Sequence, residues 1–291
     1  MTDSPFEGGD LPRHARQLML REIGGAGQAK LAGATAVVVG AGGLGGPAGL
    51  YLAAAGVGHI RVVDFDRVET TNLQRQVQFA EADVGQSKAE TLAARLRALD
   101  GALEVEAVDA RLDASNAESL LAGADVVLDG TDNFGVRLAV DAASRALKVP
   151  LVSGACAGWG AQVGVFNRSP DAPCYRCLVP EAPPDAATCE AVGIVGAVAG
   201  LAGSMMALEA VKLLVGEGVG RDAGAGVSGP APRPGSRSAA PGEELAAGPA
   251  AQTRLWVWDG LRGEGRTLRV PRDPACRYCQ SPPRSRPQSP G

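Results

Sequence analysis

The chain has 291 residues, 45% of them apolar, with 40 glycines, six cysteines and a net charge of −4. That is enough apolar material for a substantial core, and the mild acidity gives no reason to expect nucleic acid or a membrane surface as partner. The polar, acidic N-terminus lacks a signal-peptide pattern, and six cysteines over this length do not make a secreted disulfide scaffold, so a soluble cytoplasmic enzyme is the expectation.

Residues 35–46 read TAVVVGAGGLGG. Val37, Val38 and Val39 suit a strand buried on both faces. Gly40, Gly42, Gly43 and Gly45 then give a glycine-rich turn, with G-x-G-x-x-G spacing carried by Gly40, Gly42 and Gly45, where the strand hands over to a helix expected over Leu44–Ala55. Glycines there let backbone amides approach phosphate oxygens, and the helix turns its positive end toward the anion. The next strand, His59–Asp64, ends on an acid twenty-four residues after Gly40, the place from which a carboxylate takes ribose hydroxyls.

Further along, the pattern predicts a helix over Gln86–Leu99, a strand over Leu103–Val108 and a short helix over Ser115–Leu121. A strand over Asp125–Asp129, a helix over Phe134–Leu147 and a strand over Leu151–Ser153 follow. Strands separated by helices imply parallel pairing with right-handed crossovers, hence an α/β, Rossmann-like, mostly parallel doubly wound sheet. From Ala161 short strands (AQVGVFN, RLWVWD, RTLRV) suggest an antiparallel extension of that sheet. Val192–Val215 is the most apolar long segment, but glycines, Glu209 and Lys212 interrupt it, so it reads as a buried helix and not a membrane span. Residues 216–253, rich in Gly, Ala, Pro and Ser, read as a disordered loop, and 1–10 and 280–291 as flexible tails.

Two C-x-x-C knuckles, Cys174/Cys177 and Cys276/Cys279, lie about a hundred residues apart. Each puts two thiolates on a tight turn, and together they complete a tetrahedral four-sulfur site suited to zinc. Four protein ligands leave no open position, so such a site is structural. A disulfide pair or a redox C-x-x-C are the alternatives. Between glycine turn and knuckles, polar residues gather at strand ends and helix starts: Asp64 and Asp66 in DFD, Asn72 and Arg75 in NLQRQ, Lys88 in VGQSK, Asp132 and Asn133 in GTDN. Arginine and lysine can neutralise a triphosphate, and a carboxylate can hold a divalent cation through oxygen.

The combination of GAGGLG, DFD, NLQRQ, VGQSK, TDN and paired C-x-x-C resembles the ThiF/MoeB/HesA adenylyltransferases, bacterial relatives of ubiquitin-activating enzyme, from about Arg13 to Cys279. The resemblance implies a single domain over 11–279, with a nucleotide-binding part at about 30–155 and a carrier-binding and zinc part at about 156–279. It implies use of Mg-ATP to adenylate the C-terminal glycine of a small ubiquitin-fold sulfur carrier, MoaD-like or ThiS-like and ending in Gly-Gly. Pyrophosphate is released, and the product serves sulfur transfer in molybdopterin or thiamin biosynthesis. Carried over to this chain, the backbone around Gly43 contacts the nucleotide and Asp64 holds the ribose. Asn72, Arg75 and Lys88 bind the phosphates, and Asp132 organises magnesium with Asn133 beside it. Arg16, in RHARQ, resembles an arginine arm that reaches the triphosphate of a neighbouring subunit, which implies a homodimer. Cys189, in ATCEAVG, falls where some relatives carry a cysteine linked to the carrier through sulfur, so it is a candidate acceptor of the acyl group or a persulfide. Cys156 follows a strand and reads as a packed core residue. No sulfurtransferase domain follows the knuckles, so sulfur is expected from a separate sulfurtransferase or cysteine desulfurase. An NAD-dependent oxidoreductase fits the glycine turn and Asp64 but leaves Arg75, Lys88 and Asp132 without purpose. Activation of a carrier for cysteine or tRNA sulfuration remains open within the family.

Overall fold

A computed structural model describes residues 10–181, 193–216 and 252–280. Two helices, α1 (Asp10–Leu18) and α2 (Gly24–Ala32), precede β1 (Thr35–Val39), α3 (Gly45–Ala54), β2 (His59–Val63), α4 (Lys88–Leu99) and β3 (Glu104–Val108). Then come α5 (Ala117–Leu121), β4 (Val126–Asp129), α6 (Phe134–Leu147), β5 (Leu151–Ala157), β6 (Gly160–Phe166) and α7 (Gly196–Val215), and finally β7 (Gln252–Asp259), β8 (Glu264–Pro271) and α8 (Arg277–Gln280).

The eight strands form one sheet in the order β3-β2-β1-β4-β5-β6-β7-β8. The first five are parallel and the last three antiparallel, as the change of pattern at Ala161 predicts. Alternation in the central strands sends residues to two cores, one on each face. Ala36, Val38, Ile60, Val62 and Leu128 meet side chains of α2, α3, α4 and α7. Val37, Val39, Val63, Val127 and Leu151 meet α5 and α6. Both faces are covered, which is why these strands are apolar without a polar stripe.

Helix α7 is long and apolar enough to cross a membrane by length and composition alone. It packs instead on α2, α3, β5 and β6, burying Val198, Ala202, Met206 and Ala210. Leu201 and Leu208 stay exposed, so it is a partly buried core helix.

Several expected boundaries move. The helix expected from Gln86 begins at Lys88, with Ser87 accepting from the Glu90 N–H as its cap. The strand expected over Leu151–Ser153 runs on to Ala157, because GACA, weak in strand propensity, is held by pairing with β6 from Leu151↔Phe166 to Ala157↔Gly160. Cys156 therefore lies within β5 and not after it. The expected 216–253 loop is shorter at both ends: Gly216, left-handed at φ 90°, caps α7, while Gln252 and Thr253 belong to β7. Its remainder lies outside the described residues, as do Cys189 and most of both expected tails; Asp10 falls within α1 and Gln280 within α8.

Candidate functional site

Strand order reverses between β1 and β4, and a crevice opens at their carboxyl ends, where ligands bind in open α/β sheets. Here Val39 pairs with Asp129, so the chain leaves both strands side by side. Gly40 turns at φ +86°, and a Cβ on it would meet Thr131 Cγ2 at 3.1 Å. A Cβ on Gly45 would sit 1.8 Å from the Gly40 carbonyl oxygen, so only glycine lets α3 start this close to β1. No side chain caps α3 and its first turn has no acid, which leaves its positive end facing the crevice.

A cleft of about 300 Å³ occupies this place. Its lining brings together Gly40, Gly42, Gly43, Asp64, Asp66, Asn72, Arg75, Lys88, Asp132 and Asn133, drawn from the ends of β1, β2 and β4 and the segment before α4. Gly45 is buried behind the turn. Arg16 lies exposed on α1, away from this lining. Cys156 lines the cleft as well as belonging to the core, which sequence reasoning did not foresee.

Asp64 is fixed by two backbone donors: the Ala41 N–H to Oδ2 at 2.6 Å and the Asp66 N–H to Oδ1 at 2.8 Å. Burial pushes its carboxyl above the usual value, against the lowering effect of those two hydrogen bonds and of Lys88. Lys88 is buried at the first position of α4, where the helix dipole disfavours a cation. Asp66, half exposed, compensates from 3.0 Å. Arg75 donates from Nη1 to the Thr71 carbonyl at 3.1 Å, holding its guanidinium on the cleft wall. Asn133 caps α6, its Oδ1 accepting from the Val136 N–H at 3.1 Å, and Asp132 beside it is exposed.

Two supports escaped the sequence reading. Gln78 donates from Nε2 to the carbonyls of Ala41 (2.8 Å) and Gly42 (3.1 Å), bracing the glycine turn from below. Beneath the Thr131–Asn133 loop, Asp129 accepts from the Thr131 N–H and hydroxyl (3.1 and 2.7 Å) and from Ser153 Oγ (3.0 Å). Arg137 lies 3.6 Å from Asp129 Oδ2 and donates to the carbonyls of Thr131 and Gly154. Both charges are almost fully buried, at 1% and 5% exposure. The available signal was a carboxylate ending an otherwise apolar strand, and an arginine four residues beyond the Asn133 cap.

The four knuckle cysteines form a second site at the far end of α6. Their sulfurs all lie within 4.8 Å of one another. Adjacent pairs are 3.3 Å (Cys279–Cys174), 3.4 Å (Cys177–Cys279), 3.7 Å (Cys174–Cys276) and 3.9 Å (Cys174–Cys177) apart. A tetrahedral ion at a zinc–sulfur distance of about 2.3 Å places its sulfurs about 3.8 Å apart, so the donor set fits. Burial pushes the Cys174 and Cys177 thiols up, Cys177 to about 11. Burial acts the same way on Cys279, but hydrogen bonds from the Cys174 backbone and from the Cys174 and Cys177 thiols hold it below the ordinary thiol value. Keeping Cys174 and Cys177 as thiolates at neutral pH thus calls for a cation beside them.

Comparison with known proteins places these features in a family. The ThiF family model matches residues 14–278. The chain is 47% identical over 217 residues to SAMP-activating enzyme E1 of Haloferax volcanii, covering 73% of this chain and 78% of that one. It is 39% identical over 283 residues to the sulfur carrier protein adenylyltransferase of Thermus thermophilus, covering 95% and 93%. Adenylyltransferase and sulfurtransferase MOCS3 of Caenorhabditis briggsae is 37% identical over 278 residues, and this chain spans only 61% of its length. Among solved structures, Escherichia coli MccB matches with a TM-score of 0.72 at 20% identity, over 95% of this chain and 74% of that one, a likeness of fold.

Proposed function

Since the chain belongs to the ThiF family, we propose that it is a nucleotidyltransferase that activates the C-terminal glycine of a small ubiquitin-fold sulfur carrier as its acyl-adenylate. The names of its relatives, a sulfur carrier protein adenylyltransferase and a SAMP-activating E1, support the reaction class. The observation that carries the reading is the cleft itself, where Arg75 and Lys88 share a lining with the glycine turn, Asp64 and Asp132.

In this reading the amides at the start of α3 and around Gly43 bind phosphate, and Asp64, with two oxygens fixed by backbone donors, accepts from the ribose hydroxyls. Asn72, Arg75 and Lys88 hold the triphosphate. The carrier's carboxylate oxygen attacks the α-phosphorus, an O–P bond forms, the bond to the β-phosphate bridging oxygen breaks, and pyrophosphate leaves with that electron pair. A carboxylate is already a competent nucleophile, so no general base is required, and catalysis rests on positioning and on cations meeting the developing charge. Asp132, exposed on a loop braced by the Asp129–Arg137 pair, and Asp66 offer oxygens to a magnesium ion, which would neutralise triphosphate charge when bound.

Zinc in the four-cysteine cluster ties the C-terminal strands to the sheet. The domain works as one unit over 11–279, and in the cytoplasm. Arg16, exposed on α1, serves the cleft of a second copy in a homodimer. Cys189 is dispensable for adenylation, and sulfur comes from a separate sulfurtransferase or cysteine desulfurase. The carrier is MoaD-like or ThiS-like, serving molybdopterin or thiamin synthesis. Incubating the chain with ATP and each candidate carrier should yield a carrier heavier by one adenylate, seen by mass spectrometry. Absence of the adduct with every carrier, from a folded chain, contradicts the assignment.

A further inference from the structure

Helix α6 touches both sites. Arg137, Asp141 and Arg145 recur every four residues and so share one helix face. At the amino end Arg137 braces the cleft through Asp129 and Thr131. In the middle Asp141, 1% exposed, accepts from the Tyr175 N–H at 2.8 Å and from Asn167 Nδ2 at 2.9 Å. Tyr175 directly follows Cys174, so this contact fixes the first knuckle. In the last turn Arg145 donates from Nε to the Tyr278 carbonyl at 3.1 Å and from Nη2 to the Cys279 carbonyl at 3.0 Å, which grips the second knuckle. Arg272 donates to the same Cys279 oxygen at 2.7 Å.

The two knuckles are distant in sequence, Cys174 and Cys276 being 102 residues apart. Bringing them to sulfur contact needs an element that holds both, and α6 does so through side chains four residues apart. The charge pattern agrees: four thiolates around a divalent ion leave a net charge of −2, and two guanidinium groups converge on the backbone of its last ligand. We propose that Arg145 is the positioning residue of the metal site, clamping the Tyr278 and Cys279 carbonyls so that the second knuckle presents its sulfurs to the first. This rests on the zinc reading given above. Residues that orient ligands without touching the ion typically change metal affinity by about 10–100-fold.

The test is the rate of zinc release from the purified full-length chain into an excess of a chelating dye, compared among parent, Arg145→Ala and Arg145→Lys. Arg145→Ala should release zinc about 10–100-fold faster than the parent. Arg145→Lys keeps the charge but has no planar fork to span two carbonyls, so it should fall between the two. In cobalt(II)-substituted protein the sulfur-to-metal charge-transfer band should shift or weaken in Arg145→Lys, a change that a merely structural role would not produce. Parental release rates in both variants overturn the proposal. Should Arg145→Ala fail to fold, Arg145→Lys decides alone: a parental rate with an unchanged cobalt spectrum overturns it. A parent chain that carries no stoichiometric zinc and takes up no cobalt overturns the zinc reading itself, and this proposal with it, before any variant is compared.

Discussion

The cleft and the cysteine cluster sit at opposite ends of α6 and are built on opposite principles. In the cleft, Asp132 is exposed, Asp66 is half exposed, and Arg75 and Lys88 face the same space as the glycine turn. In the cluster every donor meets the others within 4.8 Å, and Cys174, Cys276 and Cys279 are buried. An open site leaves bonding capacity for a ligand that comes and goes, while a closed one uses all of it to hold the chain together. Damage to the cluster should therefore register as lost stability, and damage to the cleft as lost chemistry.

The largest expected effect is on the closed side. Cys276→Ser should abolish zinc binding and lower the thermal midpoint steeply, since structural zinc sites contribute about 10–16 kcal/mol of apparent binding free energy in small zinc-finger peptides. Metal analysis alongside a thermal melt checks it. Next comes the one place where the contrast should break. Arg137→Ala leaves Asp129 as a buried carboxylate without its cation, a change worth about 3–5 kcal/mol. This cleft variant should thus behave like a cluster variant in chemical denaturation. Lys88→Ala restores the contrast: activity should fall roughly 10²–10³-fold, as for other groups that stabilise developing charge. Its stability should change by only about 1 kcal/mol, because Asp66 can turn to solvent.

The smallest effect concerns pH. Burial raises the Asp64 carboxyl above 3.8, so the folded chain holds that proton more tightly than the unfolded one. Its contribution to stability is complete below 3.8 and is lost as pH rises through the raised value. On the proposed role of Asp64 as ribose acceptor, nucleotide affinity should run the other way, weakening as acid protonates it. Calorimetric titration with ATP across this range, set beside denaturant melts of Asp64→Asn, separates the two trends.

The parallel half was legible because its strands are β-branched runs covered on both faces, and its cleft-lining residues sit at or just beyond the carboxyl ends of strands, where topology gathers them. The knuckles were legible from spacing. What escaped has definite causes. Helix α2 reads GGAGQAKLA, a weak helix former, and is held by Leu31 in the core and by Gln28 donating to the Ala55 carbonyl at 2.9 Å. The Gln78 brace joins segments distant in sequence, so no local pattern announces it. The Asp129–Arg137 pair spans the short turn between β4 and α6 and left only the strand-ending acid and the arginine after the Asn133 cap as signals. Strand β8 was legible through RTLRV, but its extension to Glu264 and Pro271 was not, because it is exposed along nearly its whole length and pairing with β7 rather than burial sets its ends.

The most direct test of the central claim is ATP–pyrophosphate exchange by the purified chain, with each ubiquitin-fold carrier supplied intact and without its terminal glycine. The account predicts exchange with one intact carrier, none with its truncated form, and a loss of that exchange in Lys88→Ala. A folded, zinc-loaded chain that exchanges with no carrier, or equally well with the truncated one, would contradict it.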